Sequence, residues 1–408
     1  MRWIEIDITR PDETAGELLQ AARDRQDELP RLQADLGLDS PMVARFLEEQ
    51  GQLLFKAVQS GSPEAFAVDF DGPHGYHLIV DQADLTLPWN CLHNGLRFLL
   101  EDAPVCASPW SLEDTGTAQP HPWLNRWRQT RFTEGVLGEA DAAEVARHYR
   151  PEDSSEPEIL FVNGRVDGPG RARAREESAQ LDNALEKTCD GIRLARLDTP
   201  EHPPTPSGLV RRGRSYQAFH YSDVTHREPI RPESDHIDID PWTGDGGHPG
   251  GDLEVVGVDP VTSILDEVSD RSARDLPPSW APRPAAEAVA LASPAWEFED
   301  GPLRPEDLQR HHAAPLFVFS NSWLSLPGLG SRFLQAGTST FVGTQALVAN
   351  RDARSHCADI YQALSAGLGV AEAVREAALG ARERLGPDHP LWLSYGVIGM
   401  GPLALQYL

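Results

Sequence analysis

Sulfur and lysine are scarce in this chain, and each scarcity removes a class of protein. Four cysteines, Cys91, Cys106, Cys189 and Cys357, are scattered over 408 residues without a CxxC pair. That pattern argues against a zinc site read from spacing and against a disulfide framework. A cysteine so placed is ordinarily a small buried hydrophobe rather than a nucleophile. Lysine occurs only at Lys56 and Lys187, and the 36 basic side chains face 63 acidic ones for a formal net charge of −27. Such a field opposes nucleic-acid backbones and anionic lipids, which need a basic footprint. It suits solubility, a GC-rich genome or salty habitat, or a cationic partner. No run approaches the ~18 uninterrupted apolar residues of a membrane span. The first residues carry Arg2, Glu5 and Asp7, unlike a secretory signal. The expectation is a cytoplasmic protein with no membrane segment, no direct nucleic-acid binding and no cofactor.

The apolar pattern sets the architecture. Trp3 to Ile8 reads as a strand. From Thr14 to Leu36, Leu18, Leu19, Ala22, Leu29 and Leu32 recur near helical spacing, with Pro30 as a break. Ser40-Pro41 is a helix start, with Val43, Phe46, Leu47, Leu54 and Val58 inward as far as about Val58. His77 to Val80 reads as a strand, Leu92 to Leu100 as a helix, 109–122 as a loop and Ala140 to His148 as a helix. Further strands are expected at Ile159–Val162, Ile192–Leu197, Tyr216–Tyr221, Pro315–Phe319, Thr340–Gly343 and Tyr395–Ile398. Between them fall helices at Arg171–Glu186, with Ala179, Leu181 and Leu185 inward, and at Leu329–Ala336, Ala353–Ser365 and Val370–Leu385. Strands alternating with helices of this length indicate an α/β fold, a mainly parallel sheet flanked by helices on both faces. An N-terminal strand and helical segment (1–70) precedes the main domain (71–408). Residues 225–287, rich in Pro, Gly, Asp and Glu, form a long acidic insertion.

Several segments, in order, resemble the CHAT family of bacterial caspase-like domains. They are "LIVDQADLTLPW" from Leu78, "NCLHNGLRFLLEDAPVCASPW" after it, "ILFVNGRVDGPGRARAREESAQLDNAL" from Ile159, and "YQAFHYSDVTH" from Tyr216. They continue with "WEFEDGPLRPEDLQRHHAAPLFVFSNSW" from Trp296, "FLQAGTSTFVGTQALV" and "IYQALSAGLGVAEAVREA". The resemblance spans roughly residues 70 to 405 and implies a caspase-hemoglobinase fold with its site at the carboxyl ends of central strands.

A cysteine peptidase needs a thiolate, a histidine and backbone donors for the oxyanion. Laying "HYSDVT" on the family's His-x-x-Gly-His-Gly puts His220 on the leading histidine, Asp223 on a glycine and Val224 on the catalytic histidine. A valine cannot move a proton. "PLFVFSNS" from Pro315 places Ser322 where active members carry cysteine. Aligning on Asn321 instead places Trp323 there, and neither register yields a thiol. His226, two residues past the expected place, is the one base that a rebuilt Ser322 site would have to recruit, and "SNSW" lacks the glycines of a hydrolase elbow.

Other candidates are less specific. Asp235 to Asp240 offers alternate oxygens and an imidazole, with His236, Asp238 and Asp240 as metal candidates, but lacks the glycine and terminal Glu of a calcium loop. Gly328-Leu329-Gly330 is a turn rather than a dinucleotide cradle. His311-His312 reads as solvated. Trp110, Trp123, Trp127, Trp242, Trp280 and Trp296 mark either partner interfaces or plugs between loops and core.

The resemblance therefore implies a pseudo-protease: a caspase-like scaffold that has lost its dyad and serves as an interaction or regulatory component. By family analogy alone its setting is bacterial defence or cell death, with an active protease, an effector or a nucleic-acid-sensing complex as protein partner. Two alternatives stay open: an active peptidase using Ser322 and His226, and a substrate cut by a partner protease within 225–287.

Overall fold

The computed structural model describes residues 2–26, 28–63, 73–109, 158–163, 168–186, 193–197, 205–213, 216, 218–222, 295–296, 298, 301–310 and 314–404. Short apolar runs, most of them buried on both faces, build its central element, a single nine-stranded sheet. The strands are β1 (Arg2–Asp7), β2 (His74–Ile79), β3 (Val105–Ser108), β4 (Glu158–Asn163), β5 (Arg193–Leu197), β6 (Ala218–Ser222), β7 (Phe317–Ser320), β8 (Thr340–Thr344) and β9 (Tyr395–Gly399). They lie in the order β1-β2-β3-β9-β8-β7-β6-β4-β5, and every neighbouring pair is parallel except β8 and β9.

Side chains alternate across the sheet and split the core in two. On one face, Ile159, Phe161, Phe317, Phe319 and Val397 meet helices α5 (Gly168–Glu186), α9 (Asn350–Ser365) and α10 (Val370–Leu385). On the other, Leu160, Val162, Phe219, Val318 and Ile398 meet α1 (Glu13–Gln26), α6 (Pro206–Gly213), α7 (Pro305–Arg310) and α8 (Ser331–Ala336). The expected α/β architecture, with helices on both faces of a mostly parallel sheet, is the one observed.

The N-terminal segment joins this sheet. β1 pairs with β2 in register from Arg2↔His74 to Asp7↔Ile79 and forms its edge. α2 (Leu29–Leu36) follows α1, and Pro30 sits in its first turn, where a missing N–H is harmless. α3 (Pro41–Gly61) opens as expected: the Ser40 hydroxyl accepts from the Met42 N–H at 3.3 Å. It runs three residues past Val58. Phe46 and Leu47 enter one core, Leu54 and Val58 the other.

Two expectations fail for local reasons. Leu92–Leu100 is not a helix. A 3₁₀ turn (Trp89–Cys91), an antiparallel bridge His93↔Phe98 and the short helix α4 (Leu99–Asp102) replace it. Asn94-Gly95 makes the turn: the Asn94 side-chain oxygen accepts from the N–H groups of Leu96 and Arg97, and Gly95 takes φ +92°. On α5, Ala179 is exposed. The inward stripe is Glu177, Leu181, Ala184 and Leu185.

Close approach of α3 to the 3₁₀ turn requires Gly51, where a Cβ would stand 1.7 Å from the Cys91 carbonyl oxygen. Gly51→Ala is expected to destabilise the fold by about 3 kcal/mol. Gly16→Ala, in α1 with nothing within 4 Å, should stabilise it by about 0.5–1 kcal/mol. Urea denaturation of both variants checks the pair.

Candidate functional site at the carboxyl ends of the central strands

The chain leaves β4 toward β5 on one side and leaves β6 toward β7 and β8 on the other, so the strand order reverses between β4 and β6. Open sheets bind ligands in the crevice outside the carboxyl ends at such a point. The last paired residues there are Asn163 of β4 and Ser222 of β6, with Ser320 ending β7 beside them.

The centre of this end is Glu177 of α5, 4% exposed. Its Oε1 lies 2.8 Å from His220 Nε2 and accepts from Asn321 Nδ2 at 2.6 Å. Its Oε2 accepts from the Ser222 hydroxyl at 2.5 Å. A buried carboxylate needs such donors, since stripping its water without replacement is costly. On the other side of the ring, His220 Nδ1 lies 3.1 Å from the Tyr361 hydroxyl. The imidazole is fully buried and stacked between Phe161 and Phe319, at 5.1 and 5.0 Å. Tyr395 donates to Asn321 Oδ1 at 2.6 Å and closes the chain. Burial, with the nearby Cys357 and Glu177, holds both Tyr361 and Tyr395 far above the usual phenol range, so they act as donors.

The loop after β7 sends alternate side chains to opposite sides. Asn321 joins Glu177, whereas the Ser322 hydroxyl, in a residue 3% exposed, lies 2.9 Å from Ser320 Oγ. Ser320 Oγ in turn accepts from the indole N–H of Trp296 at 3.2 Å. Trp296 is itself core, stacked on Tyr221 at 4.5 Å, and so fills a gap rather than facing a partner. Trp323 is half-buried; its indole N–H donates to the Val348 carbonyl at 2.7 Å, and it packs with Leu324 against Leu38, Leu347 and Ala349. Leu324 has φ +53°, a strained value for a branched side chain. The strain is held by Thr344 Oγ1 donating to Ser322 O at 2.6 Å and by Ser325 Oγ donating to Ser320 O at 2.8 Å.

Asp223, Val224 and His226 lie outside the described residues, as do His236, Asp238, Asp240, His311, His312, the 225–287 insertion, the 140–148 helix and the remaining loop tryptophans. The structure does bring a thiol to an imidazole elsewhere. Cys106 Sγ of β3 is 3.4 Å from His77 Nδ1 of β2. Both are buried; burial pushes the thiol up and His77 down to about 3, so the pair stays neutral and supplies no thiolate. Asp39, Asp352 and His389 also converge. There His389 Nδ1 accepts from the Leu391 N–H at 3.2 Å, which leaves Nε2 as a donor toward Asp39 at 3.4 Å. That is an ordinary imidazole–carboxylate pair, with its lone pair already used.

Glu177 was missed because a charged residue on a charged helix reads as solvated. The available signal was its place four residues before Leu181, on the buried stripe.

An α/β sheet with a polar network at its switch point is the class these features define. Within it, the family model of the CHAT domain matches residues 279–399, a stretch that includes β7, β8, β9 and helices α7 to α10. This part of the chain is similar to a CHAT domain. No curated protein matches the chain. Among the described residues no helix is long and apolar enough to cross a membrane.

Among the described residues, one buried group near the network lacks a partner. His356 of α9 is fully buried against Tyr395 at 4.7 Å, and neither ring nitrogen has a hydrogen-bond partner among them. Burial first, and Arg384 second, push its pKa down to about 3. The native state therefore leaves His356 and His77 neutral where the unfolded chain protonates them. Stability falls as pH drops from about 6.5 toward about 3, by up to about 1.4 kcal/mol per pH unit for each. His356→Phe should flatten that acid limb and raise stability at neutral pH by about 1 kcal/mol. Urea unfolding at about pH 7 and about pH 4.5 reads both effects.

Proposed function

We propose that this chain is a caspase-like pseudo-protease of the CHAT type, acting in the cytoplasm by binding a protein partner rather than by cutting amide bonds. A bacterial defence or cell-death system is the setting that the family similarity suggests. The observation that carries the reading is the environment of Ser322. At one of the two places where a nucleophile would stand, the hydroxyl is buried and bonded to another hydroxyl that already accepts from an indole. A serine nucleophile needs a base beside it and open space in front.

In the alternative register the place is taken by Trp323, whose N–H is committed to Val348 O. An indole has no acid–base chemistry suited to amide hydrolysis. Its half-exposed ring, beside Leu324 and Leu347, supplies aromatic area of the kind that anchors protein interfaces. The strong negative charge favours a basic partner surface.

Incubating the purified chain with a proteome-derived peptide library, followed by mass spectrometry, tests the reading. No new termini are expected above a no-protein control. Cleavage that disappears in Ser322→Ala would show an active serine peptidase and reject it. Trp323→Ala is expected to leave the fold intact, by circular dichroism, while weakening capture of the cognate partner by tenfold or more.

A further inference from the structure

We propose that Glu177 of α5, His220 of β6 and Cys357 of α9 form a closed structural site for one divalent transition-metal ion of the zinc class. The three residues come from segments 43 and 137 positions apart in the chain, yet a carboxylate oxygen, an imidazole nitrogen and the sulfur lie within 4.8 Å of one another. All three are buried. Carboxylate, imidazole and thiolate together are a zinc-type donor set, and structural zinc sites are closed to solvent. Ser222 Oγ, held on the other carboxylate oxygen at 2.5 Å, is a neutral oxygen available for a fourth position.

Two further observations point the same way. The first is charge. The Glu177 carboxylate is met by His220, Ser222 and Asn321, and by no arginine or lysine among the described residues. His220 is thus the one basic side chain against this buried carboxylate among the described residues, and a bound cation would give it a further partner. On binding, the Cys357 S–H bond breaks, a sulfur–metal bond forms and one proton leaves to solvent. Thiolate and carboxylate then balance the dication, and the site is neutral.

The second is the support of the imidazole. A metal-bound histidine donates its other ring N–H to a fixed partner. His220 Nδ1 already lies 3.1 Å from the Tyr361 hydroxyl. Metal on Nε2 places the ring proton on Nδ1, with the Tyr361 hydroxyl as its acceptor. Tyr361 stands four residues after Cys357, on the same side of α9. One helical turn thus supplies both a ligand and the group that orients another.

The inference does not depend on the pseudo-protease reading, and its failure would leave that reading untouched. The test uses the full chain, refolded from denaturant in reducing, oxygen-free buffer containing Co2+, then freed of excess metal. The expected result is about one retained cobalt per chain, with near-ultraviolet thiolate-to-cobalt charge-transfer absorption. Cys357→Ser should remove that absorption, whereas Cys106→Ser should keep it. Release of about one proton per ion, read by calorimetry in two buffers, should accompany uptake. A wild-type chain that refolds without retaining cobalt overturns the proposal whatever the variants do, and so does absorption that survives in Cys357→Ser.

Discussion

A carboxylate taken out of water has to be surrounded by donors, and the carboxyl end of this sheet is arranged around that demand at Glu177. The side chain reaches from α5 across to β6 and the end of β7, where His220, Ser222 and Asn321 come to it. Tyr361 and Tyr395 extend the network to α9 and β9. Each partner is polar, all but the half-buried Asn321 are buried, and each would be expensive to leave unmatched. The network therefore fixes the relative register of two helices and three strands in a way that apolar packing, which tolerates sliding, does not.

Around that polar centre the remaining structure is a two-faced hydrophobic sandwich. Alternation along β4, β6 and β7 sends Phe161, His220 and Phe319 to the polar-network side, and Val162, Tyr221 and Val318 to the other. The same alternation divides the loop after β7. Asn321 turns to Glu177, Ser322 turns to Ser320 and Trp296, and Trp323 emerges beside a left-handed Leu324. The turn at the end of β7 is strained and heavily hydrogen-bonded, and among the side chains that it leaves half-exposed is the Trp323 indole.

Much of the fold was legible in the residues. Val43, Phe46, Leu47, Leu54 and Val58 mark the inward face of α3, and Ser40-Pro41 its start; the start and end of α10 agree with its apolar spacing. The misreadings share a cause. The apolar residues of 92–100 suggest a helix, but the Asn94-Gly95 turn dipeptide inside that stretch overrides helical spacing. Ala179 is expected inward on its apolar character and Glu177 goes unmarked, although position on the stripe decides which of them is buried.

By itself the sequence determined the alternation of strand and helix, the burial of most strands and the absence of a thiol at residues 321–323, directly after β7, because periodicity and residue identity are local properties. Only the tertiary structure decided that β1 closes one edge of the sheet and that Ser322 faces a hydroxyl. It alone brought Glu177, His220 and Cys357 to one point. Those are meetings between segments far apart in the chain, and no spacing along a single chain encodes which buried polar groups will face one another once the sheet is assembled.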